Sequence, residues 1–251
     1  MYAAITGASS GIGKEIAKLL AEKGYDLIIS ARREERLINL KKEIESNFKV
    51  NVVVATHDLS LYENAVKLHD DCQKYDVSVL INNAGFGKIG FLKDIPIMEE
   101  LSMINTNIVS LYVLTKLFSA SMKSGYILNV ASSAGFSPQP GMAVYGATKA
   151  FVLNLSEAVR YELKKQNKDV HISTLCPGPV DTEFNDVAKG SFTIKSLTAK
   201  KCALSAVKGL FKRKNIIIPG VIMKVARISK FLPSSFVISA AYNIQKNKAE
   251  K

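Results

Sequence analysis

Tyr145 and Lys149 stand four residues apart, which places both on one face of any helix that holds them. A phenol with its ordinary pKa of about 10 is a poor proton shuttle at neutral pH. An ammonium beside it stabilises the phenolate, so the pair is expected to draw the tyrosine down toward general acid–base work. A second group lies near the start of the chain, in Thr6-Gly7-Ala8-Ser9-Ser10-Gly11-Ile12-Gly13. Glycines between a strand and a helix let the backbone turn tightly and approach a pyrophosphate, while the helix N-terminus offers free N–H groups. Gly7, Ser9, Ser10, Gly11, Ile12 and Gly13 are the candidates for that contact. The same run also fits the GxSxG elbow of serine hydrolases, with Ser9 as nucleophile and His57, His69 or His171 as base.

The second apolar run ends Ile29-Ser30-Ala31-Arg32-Arg33. A carboxylate at that strand end would accept hydrogen bonds from a ribose 2′-OH, but the position holds Ala31. Guanidinium groups at Arg32 and Arg33 pair with a 2′-phosphate instead, so NADP(H) is expected over NAD(H). Asp58 and Leu59 follow the third apolar run, where the carboxylate suits an adenine amino group or the cap of the next helix.

Short apolar runs position these groups: Tyr2 to Thr6, Asp26 to Ser30, Val50 to Thr56, Val77 to Ile81, Gly125 to Val130 and His171 to Leu175. They alternate with helix-type stretches such as Gly11 to Lys23, where Ile12, Ile16, Leu19 and Leu20 share a face. Strands apolar throughout are buried on both faces, which predicts a parallel sheet between helices: a single α/β, doubly wound Rossmann domain. The core is expected over about residues 1–182, a substrate loop over 183–199, a last strand over 216–219 and a basic C-terminal helical extension over about 220–251.

A chain of 251 residues, 47% hydrophobic and 22% charged, has the composition of one globular domain, not of a disordered or disulfide-stapled chain. The net charge of +12 is uneven, because residues 211–251 hold nine basic side chains and one acid. Such confinement argues against nucleic acid as a partner. Cys72, Cys176 and Cys202 are far apart and form no CxxC, so neither a disulfide framework nor a metal site is expected. With no targeting segment evident and no long uninterrupted apolar run, a cytoplasmic location is expected.

With Asn82-Asn83-Ala84-Gly85 after the fourth run and Tyr145-Gly146-Ala147-Thr148-Lys149, the chain resembles the short-chain dehydrogenase/reductases over about residues 2–182. The resemblance implies hydride exchange between nicotinamide and a carbonyl/alcohol pair. Tyr145 would be the general acid/base and Lys149 the holder of the nicotinamide ribose. Ser132, thirteen residues before Tyr145, would orient the substrate oxygen, with Ser133 as the alternative. Asn107, with Asn105 as fallback, would bend its helix and support a proton relay. Asn83, Ala84 and Gly85 would lie near the adenosine ribose, and Pro177, Gly178, Val180 and Thr182 near the carboxamide. Family members assemble as homodimers or homotetramers, here through the helices around 98–121 and 145–166.

Gly135, Phe136, Gln139, Met142 and Phe184 are the candidate substrate contacts, a mixture that suits a lipophilic ketone, a steroid-like or an acyl compound. Lys224, Arg227 and Lys230 among Ile222, Val225, Ile228 and Phe231 make a basic amphipathic stretch, suited to packing on the core or to peripheral membrane contact. A non-enzymatic NADP-binding regulator on the same fold is the remaining alternative; it would have no need of Tyr145 or Lys149.

Overall fold

The computed structural model describes residues 1–188 and 196–220, together with 223, 224, 227, 235, 238, 239 and 241–243. Strands β1 (Tyr2–Thr6), β2 (Asp26–Ala31), β3 (Val52–Thr56), β4 (Val77–Asn82), β5 (Ser124–Val130), β6 (Asp169–Leu175) and β9 (Ile216–Ile217) form one sheet in the order β3-β2-β1-β4-β5-β6-β9. Every pairing in it is parallel. A parallel neighbour needs a crossover, and helices α1 (Gly11–Glu22), α2 (Glu34–Asn47), α3 (Tyr62–Cys72), α5 (Leu111–Ser121), α6 (Ala143–Lys165) and α8 (Ala199–Phe211) supply them. The doubly wound α/β expectation is borne out.

Side chains that alternate along each strand build two separate cores. Ala3, Ile5, Leu27, Ile29, Val79 and Ile81 pack under α1, α2 and α8, with Ile16, Leu20, Leu37, Ile44 and Leu210. Ala4, Ile28, Leu80, Ile127 and Ile172 face the other way, onto Leu68, Leu114 and Phe118 of α3 and α5. Burial on both faces explains why these strands read as continuous apolar runs.

The order of strand addition reverses after β3, since β2 and β3 lie on one side of β1 and β4 on the other. At such a switch point the crossovers part and leave a crevice beyond the carboxyl ends of the strands. The helix leading out of β4 is interrupted. Short α4 (Ile97–Ile104) runs through a π-helical stretch, Asn105–Ser110, into α5. The whole run Ile97–Ser121 is long and apolar enough to cross a membrane by length and composition. Its buried residues Met103, Leu114 and Phe118 instead serve the cores.

Beyond β6 the chain forms β7 (Val180–Asp181), α7 (Phe184–Ala188) and β8 (Leu197–Thr198), with β7 and β8 paired as a two-stranded sheet. The expected loop over 183–199 therefore begins as a helix and ends as a strand; residues 189–195 lie outside the described part. Most of the two helices expected between Val221 and Gln245 lies outside it as well.

Candidate active site

The glycine turn is shaped by backbone demands. Gly7 and Gly11 have φ of 64° and 56°, the left-handed region that a Cβ disfavours. At Gly13 a Cβ would stand 2.5 Å from the Gly7 carbonyl oxygen and from Asn83 Nδ2, so only glycine lets α1 start this close to β1. Asn83 locks the turn, donating from Nδ2 to the Thr6 and Gly7 carbonyls at 3.0 and 3.2 Å. The Thr6 hydroxyl accepts from the Asn83 and Ala84 amides at 2.9 and 3.0 Å. No side chain caps the first turn of α1, so its orphan N–H groups remain available to an anion.

A cavity of about 610 Å³ opens over this turn and runs to the ends of β5 and β6. It is lined by Gly7, Ser9, Ser10, Gly11, Ile12, Arg32, Arg33, Asp58 and Leu59 at one end. Asn83, Ala84 and Gly85 line its middle, and Ser132, Tyr145, Lys149, Pro177, Gly178, Val180 and Thr182 its far part. An elongated phosphorylated ligand such as a dinucleotide fits this set: a Cβ-free turn with bare N–H groups, then guanidiniums, then a proton-carrying end. Asp58 turns one carboxylate oxygen to the Ser60 amide at 3.0 Å. The next helix is preceded by Leu61 without a side-chain cap, so capping is not the work of Asp58.

Two carriers of the expected chemistry meet at the far end. The Tyr145 side chain is buried and lines the cavity with Ser132, whose hydroxyl draws the phenol pKa down. Ser132 Oγ accepts from the Ala134 amide at 3.1 Å, which fixes its direction. Lys149 Nζ lies 5.8 Å from the centre of the Tyr145 ring and donates to the Val130 carbonyl at 3.0 Å. Here the structure departs from the expectation of a lowered tyrosine pKa. Burial pushes the Tyr145 phenol up to about 12, against the pull of Ser132, and pushes Lys149 down to about 8. Desolvation disfavours both charged forms, and at this separation it outweighs the attraction between them.

Asn107 sits inside the π-helical stretch and is fully buried, whereas Asn105 is exposed. Its Oδ1 accepts from the Phe86 amide at 3.1 Å; its Nδ2 donates to the Phe86 carbonyl at 2.9 Å and to Thr148 Oγ1 at 3.1 Å. Thr148 in turn donates to the Tyr145 carbonyl at 2.7 Å. The extra residue of a π turn bends the helix and lets one side chain reach both the β4 loop and α6. A Cβ on Gly85 would lie 2.8 Å from Asn107 Oδ1 and 3.3 Å from Lys149 Nζ, so glycine there keeps the three groups together.

At the substrate end, Gln139, Met142 and Phe184 line the cavity. The Phe184 ring lies 5.5 Å from that of Tyr145. Gly135 does not line it: a Cβ there would stand 2.7 Å from the Lys149 carbonyl, so this glycine allows a close approach to α6. Phe136 belongs to a core cluster with Val152 and Leu153. Phe86, Ser137, Val187 and Met223 line the cavity without having been singled out in the sequence, because no motif or spacing links them to Tyr145. Arg36 was also missed. It reaches the Glu183 carboxylate together with Arg33, whose Nη1 is 2.8 Å from Oε2. Its place one helical turn after Arg33 was the available signal.

The nucleophile-elbow reading finds no support in the geometry. Ser9 Oγ accepts from Arg33 Nη2 at 3.1 Å. His57 pairs with Asp71 and His69 with Asp70 and Ser121; among the described residues no histidine bonds to Ser9. No group of three or more metal-ligating side chains occurs among the described residues.

The family pattern described as short chain dehydrogenase matches residues 1–190. The chain is 32% identical over 229 residues to a very-long-chain 3-oxoacyl-CoA reductase-B of Danio rerio, covering 88% of this chain and 73% of that one. A short-chain dehydrogenase from Sphingobium yanoikuyae, solved in complex with NADPH, superimposes with a TM-score of 0.81 at 30% identity, covering 88% of both chains. One from Burkholderia phymatum, solved with NAD, gives 0.81 at 25% identity, covering 90% of this chain and 92% of that one.

Proposed function

The chain belongs to the short-chain dehydrogenase family of oxidoreductases, and we propose that it uses NADP(H) to interconvert a lipophilic carbonyl compound and its secondary alcohol. The observation that carries this reading is the meeting of Ser132, Tyr145 and Lys149 inside the cavity that begins at the glycine turn, with Lys149 Nζ 5.8 Å from the Tyr145 ring centre.

When bound, the nicotinamide would supply or accept the hydride. The chain's own residues do the rest. Ser132 orients the substrate oxygen. Tyr145, protonated at neutral pH and kept so by burial, which raises its pKa further, donates its proton to that oxygen as reduction proceeds. The phenolate so formed faces the Lys149 ammonium, whose charge limits the cost of the step. Asn107 acts through others, tying Phe86 and Thr148 into one frame under Tyr145. Phe184 and Met142 cover the reacting end with apolar surface.

Preference for NADP(H) over NAD(H) rests on Ala31 at the strand end and on Arg32 and Arg33 at the cavity rim. A solved relative holds each cofactor, so this chain's own residues carry the choice. An acyl or steroid-like ketone suits the apolar far end, and the Danio rerio relative is a reductase of acyl substrates. Exposed Ile97, Met98, Leu101, Tyr112 and Phe151 on α4, α5 and α6 favour a homo-oligomer through those helices. A cytoplasmic site of action belongs to the same reading.

Titration of NADPH and NADH into the wild type and Arg32→Ala tests it. Tight NADPH binding that falls toward the NADH level in the variant is the expected result. Equal binding of both cofactors would make the arginines surface charge. Binding of neither, with esterase activity dependent on Ser9, would return the hydrolase.

A further inference from the structure

Where a 2′-phosphate would meet Arg33, the structure already holds an anion of its own. Glu183 stands at the junction of β7 and α7, one residue before Phe184. Its carboxylate is held by two guanidiniums: Oε2 by Arg33 Nη1 at 2.8 Å and Oε1 by Arg36 Nη1. The other arm of Arg33 donates to Ser9 and Ser10 at 3.1 and 3.0 Å, so one guanidinium joins the glycine turn to the chain leading into α7. Arg33, Ser9, Ser10 and Glu183 all line the cavity, so this bridge forms part of its wall.

We infer that Glu183 is an internal competitor for the 2′-phosphate: a specificity-determining carboxylate that must leave Arg33 and Arg36 before NADP(H) can use them. This rests on the NADP(H) reading above. The argument is one of shared donors. A guanidinium presents its N–H groups in one plane, and two of the Arg33 edges are already taken. A phosphate dianion that claims the outer edge meets a carboxylate bonded to that edge, and the like charges repel. Arg36 is freed by the same displacement, so the exchange makes a second cation available to the phosphate. The Glu183 carboxyl is held down to about pKa 2 by Arg36 and Arg33, so it remains an anion at any pH where the protein would be assayed. NAD(H), with a hydroxyl at that place, has no need to break the bridge. The carboxylate therefore lowers affinity for NADP(H) selectively and couples 2′-phosphate binding to the anchoring of α7.

Calorimetric titration of NADPH, NADH, 2′-AMP and 5′-AMP into the wild type, Glu183→Gln and Arg33→Ala separates the possibilities. Glu183→Gln is expected to bind NADPH and 2′-AMP about fivefold more tightly, an exposed-pair effect. NADH and 5′-AMP should stay within about twofold, and the gain should shrink in high salt. Glu183→Ala, which removes the side chain altogether, must give the same direction. A wild type that prefers NADPH, with a Glu183→Gln variant that binds it no better or more weakly, overturns the competitor and makes Glu183 a support for the arginines. Equal tightening of all four ligands overturns it too, since the bridge would then merely narrow the cleft. A wild type that does not distinguish NADPH from NADH, with Arg33→Ala silent, overturns the NADP(H) reading and this inference with it.

Discussion

The two ends of the cavity are built by different means. The glycine turn at one end is backbone from one stretch, residues 6–13, locked by the distant side chain of Asn83 and bordered by Arg32, Arg33 and Asp58. At the opposite end, side chains of Phe86, Gln139, Met142, Phe184 and Met223 converge from four separate segments. Ligand contact through backbone constrains the chain to a short pattern, whereas contact through side chains constrains only shape and polarity. One end can therefore stay the same across a family while the other is free to diverge, which is how one fold serves many substrates.

If that division holds, damage at one end should leave the other intact. The sharpest separation is Tyr145→Phe. Carbonyl reduction should fall by about two orders of magnitude or more, the scale of lost general-acid catalysis, with the NADPH dissociation constant unchanged. Retained turnover would defeat the assignment of the acid, and a parallel loss of cofactor affinity would defeat the division. It also decides the regulator alternative, since a protein that merely binds NADP(H) has no turnover to lose.

The pH dependence comes next. Lys149, lowered to about 8 by burial, carries its charge below that pH and loses it above. Tyr145, raised to about 12, keeps its proton throughout the accessible range. Reduction at saturating NADPH should accordingly be level from pH 6 to 7 and fall several-fold as pH rises through about 8. A rate that climbs over that interval would mean that a deprotonated tyrosine limits the reaction. The smallest expected effect is that of Phe184→Ala. Opening the apolar wall beside Tyr145 should raise KM for a small ketone about threefold and ease entry of a bulkier one, with NADPH affinity within about twofold. A large change in cofactor affinity would place Phe184 at the wrong end of the comparison.

How much was legible in the chain follows the same division. Strands buried on both faces announce themselves as apolar runs, so the sheet and its helices were readable apart from their exact ends. The glycine turn and the Tyr145–Lys149 spacing were readable because each is local. Asn107 was preferred to Asn105 by its place in the family motif alone; the physical reason, a π-helical stretch that turns Asn107 inward and leaves Asn105 in solvent, was not readable in the sequence. The direction of the Tyr145 shift was misread because spacing reports neighbours and not burial, and burial dominates. Gly135 looked like a cavity residue because it follows Ser132, yet it serves close packing against α6. Met223 lies 78 residues from Tyr145, and no local pattern links them.

The position of β1 has a consequence for how the molecule comes to be folded. This strand pairs with β2 on one side and β4 on the other, so its second edge stays open until residues 77–82 exist. At a synthesis rate of about 5–20 residues per second, the interval between the completion of β2 and the arrival of β4 is on the order of seconds. Throughout it, Tyr2 to Thr6 presents a bare apolar edge, the kind of surface that pairs with the wrong strand. The reversal of strand order that opens the ligand crevice thus also leaves the first strand of a nascent chain with an unpaired edge while the residues between β2 and β4 are made.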